Sequence, residues 1–183
     1  MRISVITTNS GKFAEIVQFF ENLNVNFEMQ KLDLLEIQAD SLEAVVAGKL
    51  DSVDKNFSNC LVDDSGLFID ALSGFPGVYS SYVYRTIGVN GICKLMEGVE
   101  NRNARFECLF GFRLNNKNYF FKGVCEGTIV DVPRGSGGFG FDPIFVPKGY
   151  SRTFAELPTE EKNKISHRGR ALQELRNFLI GVL

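Results

Sequence analysis

Phe106-Glu107-Cys108-Leu109-Phe110-Gly111-Phe112-Arg113-Leu114 is the stretch on which the fold class turns. Apolar residues stand at 106, 108, 110, 112 and 114, every second position. That is the period of a β-strand with one face on a core, so the stretch reads as a half-buried strand. Downstream, Asn115-Asn116-Lys117-Asn118 is a turn signal, and residues 119–124 and 127–132 read as two further strands. Upstream the period changes to that of helices. Residues 3–6 read as a short buried strand, residues 7–10 turn polar, and Gly11 follows. Phe13, Ile16, Val17, Phe20 and Leu23 then recur at helical spacing. Leu42, Val45, Val46, Leu50 and Val53 mark a second helix, with Ser41 placed to cap it. Cys60-Leu61-Val62 reads as a short strand ending in Asp63-Asp64, and Val89, Ile92, Cys93 and Met96 as a third helix.

Past the strands, residues 134–140 are glycine-rich and read as a loop. Thr159 is placed to cap a short helix and Ser166 a last one, whose apolar stripe is Leu172, Leu175, Phe178, Leu179 and Val182. Helices interleaved with a run of strands imply a mixed α/β architecture. No repeat, low-complexity tract or linker divides residues 1–183, so a single domain is expected.

Composition narrows the function classes. The 183 residues are 44% hydrophobic, enough for a sizeable core, and the formal net charge is −2. A nonspecific nucleic-acid binder usually carries a basic excess, so no nucleic-acid partner is expected. Cys60, Cys93, Cys108 and Cys125 lie singly in apolar runs and read as buried free thiols. One histidine and no paired cysteines argue against zinc. The apolar start is too short for a signal segment and no long apolar span follows, so no membrane partner is expected and a cytoplasmic setting is.

Four segments carry chemistry. Thr7-Thr8-Asn9-Ser10-Gly11-Lys12 lies between a strand and a helix, where free N–H groups and the positive dipole end favour phosphate. It is not a Walker A loop, because Ile6 stands where that motif needs glycine. By spacing alone it reads equally as a polar turn. Asp63-Asp64-Ser65-Gly66 follows a strand, and carboxylates at a strand's carboxyl end sit where α/β folds place ligands. Mg²⁺ needs only one or two hard carboxylates, and Glu36, amid apolar neighbours, is a candidate second ligand. Turn hydrogen bonding and an exposed strand position are the alternatives. Gly135-Ser136-Gly137-Gly138-Phe139-Gly140-Phe141-Asp142-Pro143 joins a flexible backbone to two aromatics that either stack on a base or tuck into the core. Lys162, Lys164, His167, Arg168 and Arg170 cluster at a helix start. Cations there oppose the helix dipole unless an anion compensates.

Together these motifs resemble the Ham1-like inosine/xanthosine triphosphate pyrophosphatases. The similarity rests on Thr8-Asn9-Ser10-Gly11-Lys12, Asp63-Asp64-Ser65-Gly66-Leu67, Gly74-Phe75-Pro76-Gly77-Val78-Tyr79-Ser80, Gly137-Gly138-Phe139-Gly140-Phe141-Asp142-Pro143, and Glu161-Lys162-Asn163 with Ser166-His167-Arg168-Gly169. These blocks occur in family order along nearly the whole chain. Leu34-Leu35-Glu36-Ile37-Gln38 is similar to a metal-ligand segment, with Leu35 where many members have proline. Phe141 stands where tyrosine or tryptophan is common.

The resemblance implies an elongated mixed α/β sheet flanked by helices, with two lobes and a central nucleotide cleft, in a homodimer. It implies Mg²⁺-dependent cleavage of a purine nucleoside triphosphate into monophosphate and pyrophosphate. Glu36, Asp63 and Asp64 would serve the metal, with Asp64 also the general base. Thr7, Thr8, Asn9, Ser10, Gly11, Lys12, Ser65 and Lys162 would hold the phosphates. Phe139, Gly140, Phe141 and Asp142 would line the base, with His167 and Arg168 donating to its 6-keto oxygen. Tyr79, Tyr82 and Tyr84 suit either an interface or a buried position. Three other readings are a pyrophosphatase of pyrimidine or methylated-nucleotide preference, a nucleotide sensor without turnover, and an RNA-binding module. The acidic pair and both lysines speak against the sensor, and the net charge against RNA.

Overall fold

Strand and helix alternate through the first half of the chain, and strands dominate from residue 103. The coordinates are a computed structural model that describes residues 1–32, 34–35 and 37–183. β1 (Arg2–Ile6), α1 (Ser10–Phe19), β2 (Asn26–Gln30), α2 (Leu42–Ser52) and β3 (Asn59–Ile69) come first. The two-residue β4 (Pro76–Gly77) precedes α3 (Ser80–Thr86) and α4 (Gly88–Leu95). The long strands β5 (Asn103–Leu114) and β6 (Lys117–Ile129) lead to β7 (Phe145–Pro147), α5 (Thr159–Ile165) and α6 (His167–Val182). The seven-stranded mixed sheet has the order β2-β1-β3-β5-β6-β7, with β4 paired to β3. β1 is parallel to β2 and β3, while β4 and β7 run antiparallel to β3 and β6. The α/β class with a mixed sheet is as expected.

The chain forms two compact units: Met1–Asp64 with Cys108–Lys122 and Ala171–Leu183, and Ser65–Glu107 with Gly123–Arg170. In the first, Ile3, Ile16, Phe20, Leu61, Phe110 and Phe112 pack with Leu172, Leu175 and Leu179 of α6. In the second, Leu67, Ile92, Met96, Phe106, Phe145 and Phe154 form the core. Cys60, Cys108 and Cys125 are buried and Cys93 is half-buried, and among the described residues none of them forms a disulfide. Burial pushes the Cys125 thiol up to about 11 and raises Cys60 and Cys93 as well, which favours the protonated thiol over the thiolate. No helix among the described residues is long and apolar enough to cross a membrane.

Four expectations are corrected. β5 is buried on both faces from Phe106 to Leu114, not half-buried. Gly111 explains one face: a Cβ there would lie 2.6 Å from Val46 Cγ1 and 2.8 Å from Leu50 Cδ1, so α2 seats directly on the strand. β3 does not stop at the acidic pair but runs on to Ile69: it pairs with parallel β1 at Cys60 and Leu61, with antiparallel β4 at Leu67 and Phe68, and also with β5 in the sheet. The two strands expected over residues 119–132 are one, β6, continuous through Cys125 and Glu126. Pro158, not Thr159, occupies the capping position of α5. α3 had no apolar stripe to announce it, since only Ser80 and Val83 are buried. The turn between β5 and β6 is as read: Asn115 (φ 50°) and Asn116 (φ 62°) are both left-handed, the geometry of a two-residue type I′ hairpin.

Candidate active site

The described site residues fall into one cluster in each unit. In the first, β1 ends at Ile6 and the chain turns into α1. Thr7 Oγ1 accepts from the Asn9 N–H (3.1 Å), and Asn9 Oδ1 accepts from the Lys12 N–H (3.1 Å), capping the helix. Thr8, Asn9, Ser10 and Gly11 are exposed. The start of α1 thus faces solvent with its dipole's positive end, as phosphate binding requires.

Lys12 is not a solvated charge. Its Nζ lies 2.8 Å from Asp63 Oδ2, with the Asp63 side chain only 4% exposed. Asp64 is more open, at 19%, and its Oδ1 lies 3.4 Å from Lys49 Nζ. Lys49 also donates to the Asp63 carbonyl oxygen (3.5 Å). Successive residues of a strand face opposite sides. The two adjacent carboxylates therefore meet different lysines, one from α1 and one from α2. The carboxyl-end logic holds for β1, whose last paired residue on β3 is Leu61, rather than for β3 itself.

Lys49 escaped sequence reading. It was legible in one respect: it stands three residues after Val46 and seven after Leu42, inside the apolar stripe of α2. A lysine there is buried unless something draws it out, and it is indeed buried. Buried ammonium groups need a counter-charge.

The second cluster centres on Asp142, 2% exposed. Its Oδ2 accepts from the Phe139 N–H (2.8 Å) and from Lys162 Nζ (2.6 Å). Gly138, at φ +69°, makes room for this: a Cβ there would lie 2.0 Å from that oxygen. Burial pushes the Asp142 carboxyl above its ordinary value, and Lys162, the Phe139 N–H and Arg168 pull it back. Lys162 Nζ lies 4.7 Å and Arg168 Cζ 5.3 Å from the Phe139 ring centre. Lys162 is thus bound up with the glycine loop through Asp142 and Phe139. Arg168 Nη2 donates to Ser65 Oγ (3.4 Å). His167 stacks on Phe106 at 4.7 Å with its ring 12° off parallel, and is buried.

The loop divides its two aromatics. Phe139 is 48% exposed, whereas Phe141 is 3% exposed and meets Tyr84 edge-on at 5.6 Å. Phe141 was expected against the base, but its ring is taken up by the core, so the open aromatic face belongs to Phe139. Gly140 is half-buried, with φ +61°. Glu36 lies outside the described residues. Among those described, no group of three or more His, Cys, Asp or Glu is disposed to hold a metal.

Exposed residues at a helix start beside lysine-paired carboxylates, on a mixed α/β sheet, are features of the class of α/β proteins with phosphate sites. It belongs to the Ham1 family, whose model matches residues 3–178. It is 51% identical over 183 residues to the dITP/XTP pyrophosphatase of Thermococcus kodakarensis, covering 98% of this chain and 97% of that one. It is 48% identical to the enzyme of the same name from Pyrococcus horikoshii, with the same coverage. Among solved structures, a HAM1 protein from Coxiella burnetii superposes with a TM-score of 0.89 at 33% identity, covering 99% of both chains. The Staphylococcus aureus Ham1 protein gives 0.88 at 28% identity over 100% of both.

Proposed function

We propose that this chain hydrolyses noncanonical purine nucleoside triphosphates (ITP, dITP and XTP) to the monophosphate and pyrophosphate, clearing aberrant nucleotides from the precursor pool. The observation that carries the reading is the lysine-paired Asp63–Asp64 segment beside the capped start of α1. Full-length likeness to relatives named dITP/XTP pyrophosphatase supports it.

Water attacks the α-phosphorus, the bond to the bridging oxygen breaks, and pyrophosphate leaves. Asp64, the more open carboxylate, takes the proton from that water. Thr7, Thr8, Asn9, Ser10 and Gly11 cradle the phosphates with N–H groups, hydroxyls and amide. Lys12 and Lys49 offset phosphate charge, and Asp63 holds Lys12 in place. Phosphoryl transfer is chiefly positioning and charge stabilisation, which is what this cluster offers.

The donor set fits Mg²⁺, since Asp63 and Asp64 offer hard carboxylate oxygens. Asp64 and, by family resemblance, Glu36 would hold it, with Asp63 in support. When bound, the ion supplies charge neutralisation and a lowered water pKa.

Phe139 offers the base its face. Arg168 and His167 donate to a 6-keto oxygen. A 6-amino group presents donors to these donors, so adenine nucleotides are rejected. Asp142 and Lys162 hold the loop that carries Phe139, and Ser65 holds Arg168. The protein acts as a homodimer in a reducing cytoplasmic setting.

Product analysis tests the reading. The protein is incubated with ITP, XTP, GTP, ATP and UTP, with and without Mg²⁺, and products are separated by chromatography. Monophosphate and pyrophosphate from ITP and XTP only with Mg²⁺, with ATP largely spared, is the expected result. Diphosphate and phosphate instead would sink the α-phosphorus route, and no turnover would leave a binding protein.

A further inference from the structure

α2 ends in a set of side-chain contacts that bracket Lys49. The Ser52 hydroxyl donates to the Lys49 carbonyl oxygen (2.8 Å). From β5, the Arg113 guanidinium donates through Nη1 to the Val53 carbonyl (3.2 Å) and through Nη2 to the Leu50 carbonyl. Arg113 is itself buried. The last carbonyls of a helix lack intrahelical donors and carry the negative end of its dipole, so a cation there is well placed. Two residues before Arg113 on the same strand, Gly111 leaves the space into which Val46 and Leu50 of α2 pack. β5 therefore sets both how closely α2 approaches and where its last turn stops.

Lys49 is the residue of that turn that reaches the acidic pair, at 3.4 Å from Asp64 Oδ1 and 3.5 Å from the Asp63 carbonyl. We infer that Arg113 is a positioning residue for the reaction: by clamping the Leu50 and Val53 carbonyls it holds Lys49 in register with Asp63–Asp64. Nothing in the inference requires Arg113 to touch substrate. It rests on the functional reading above, in which Lys49 offsets charge during phosphoryl transfer. A guanidinium suits the task because its rigid fork spans two carbonyls, which the single ammonium of a lysine does not.

A double-mutant cycle with an activity-independent readout tests it. kcat/KM for ITP is measured for wild type, R113M, K49Q and the double variant. Losing the clamp lets the last turn shift, and misplacements near 1 Å can cost up to about 10²-fold, so R113M should lose roughly tenfold. In the K49Q background the same change should lose less than about twofold, since coupled residues are non-additive. An equal loss in both backgrounds, or no loss from R113M, overturns the inference. R113K, which keeps the charge but only a single donating nitrogen, should fall between wild type and R113M with its loss also vanishing in K49Q, and it serves if R113M does not fold.

Acylation of lysines by an amine-reactive ester, followed by peptide mass spectrometry, is the second readout. Local opening of the turn should raise labelling of Lys49 about fivefold in R113M, with Lys12 on α1 as the unchanged reference. Equal Lys49 labelling in wild type and R113M overturns the inference even in a protein without turnover. An inactive wild type would sink the functional reading alone.

Discussion

Lys49 and Asp64 show how a single position departs from local preference when function needs it. An ammonium in the apolar stripe of a helix is unfavourable unless it meets a counter-charge. Here it meets Asp64 at 3.4 Å and the Asp63 carbonyl at 3.5 Å. Such breaks with the local pattern are expected where a protein does chemistry. Asp63 is nearly sealed against Lys12, so it cannot readily exchange its partner for water, whereas Asp64 keeps 19% of its side chain open. That difference supports the proposed role of Asp64, the second carboxylate of the pair, as general base. Asp64→Asn is close to isosteric and keeps an oxygen towards Lys49, so the fold should survive while proton abstraction is lost. Steady-state turnover of ITP should drop by about 10²–10⁴-fold, the usual span for a general base, with the circular-dichroism spectrum unchanged. Activity within a few fold of wild type would remove Asp64 from that role.

Elements with a strong internal period were legible, and those defined by their neighbours were not. β1, α1 and α2 follow from their apolar spacing, and Ser41 Oγ accepts from the Ala44 N–H as its capping position foretold (3.3 Å). Ser166 Oγ likewise accepts from the Gly169 N–H (3.0 Å) at the start of α6. β3 was cut short because Asp63-Asp64-Ser65-Gly66 has the composition of a turn, and its extended form goes with pairing to β5 and β4, which local sequence does not announce. The full burial of β5 depends on α2 lying over Gly111, which no local pattern reveals. The site was legible as a list of residues but not as a set of pairs: the sequence does not say that Lys12 meets Asp63, that Lys162 meets Asp142, or that Phe141 turns inward.

The junction of α5 and α6 gives the sharpest prediction at this scale. A Cβ on Gly169 would fall 1.7 Å from the Asn163 carbonyl oxygen, a backbone atom that cannot step aside. Gly169→Ala must therefore displace the start of α6, which carries His167 and Arg168. Overpacking of this kind costs about 1–3 kcal/mol. Thermal unfolding should begin several degrees lower, and the preference for ITP over ATP should narrow because both proposed base-reading donors move. A variant with unchanged melting temperature and unchanged preference would show that the junction yields without strain.

At the scale of the whole molecule, the proposed homodimer needs a surface, and the exposed large apolar residues of the second unit are concentrated in one stretch of chain. Phe75, Tyr79, Tyr82, Tyr84, Ile87 and Leu95 are all at least 40% exposed, with Tyr82 at 62%. Scattered apolar residues on a surface mean little, but six large ones within 21 positions are a concentration of the kind that marks interaction sites. Tyrosine and phenylalanine are enriched at interfaces because each offers a large rigid area and, in tyrosine, a polar tip that tolerates water. The formal charge of −2 gives little long-range repulsion between copies. Sedimentation velocity at micromolar concentration should therefore give twice the mass of the chain. Tyr82→Glu places an unpaired charge at the most exposed of these aromatics, where an interface would have to desolvate it, and should shift the protein to monomer without lowering its melting temperature as a monomer. A wild-type protein that sediments as a monomer would sink the homodimer, and a Tyr82→Glu variant that stays dimeric would move the interface off this stretch.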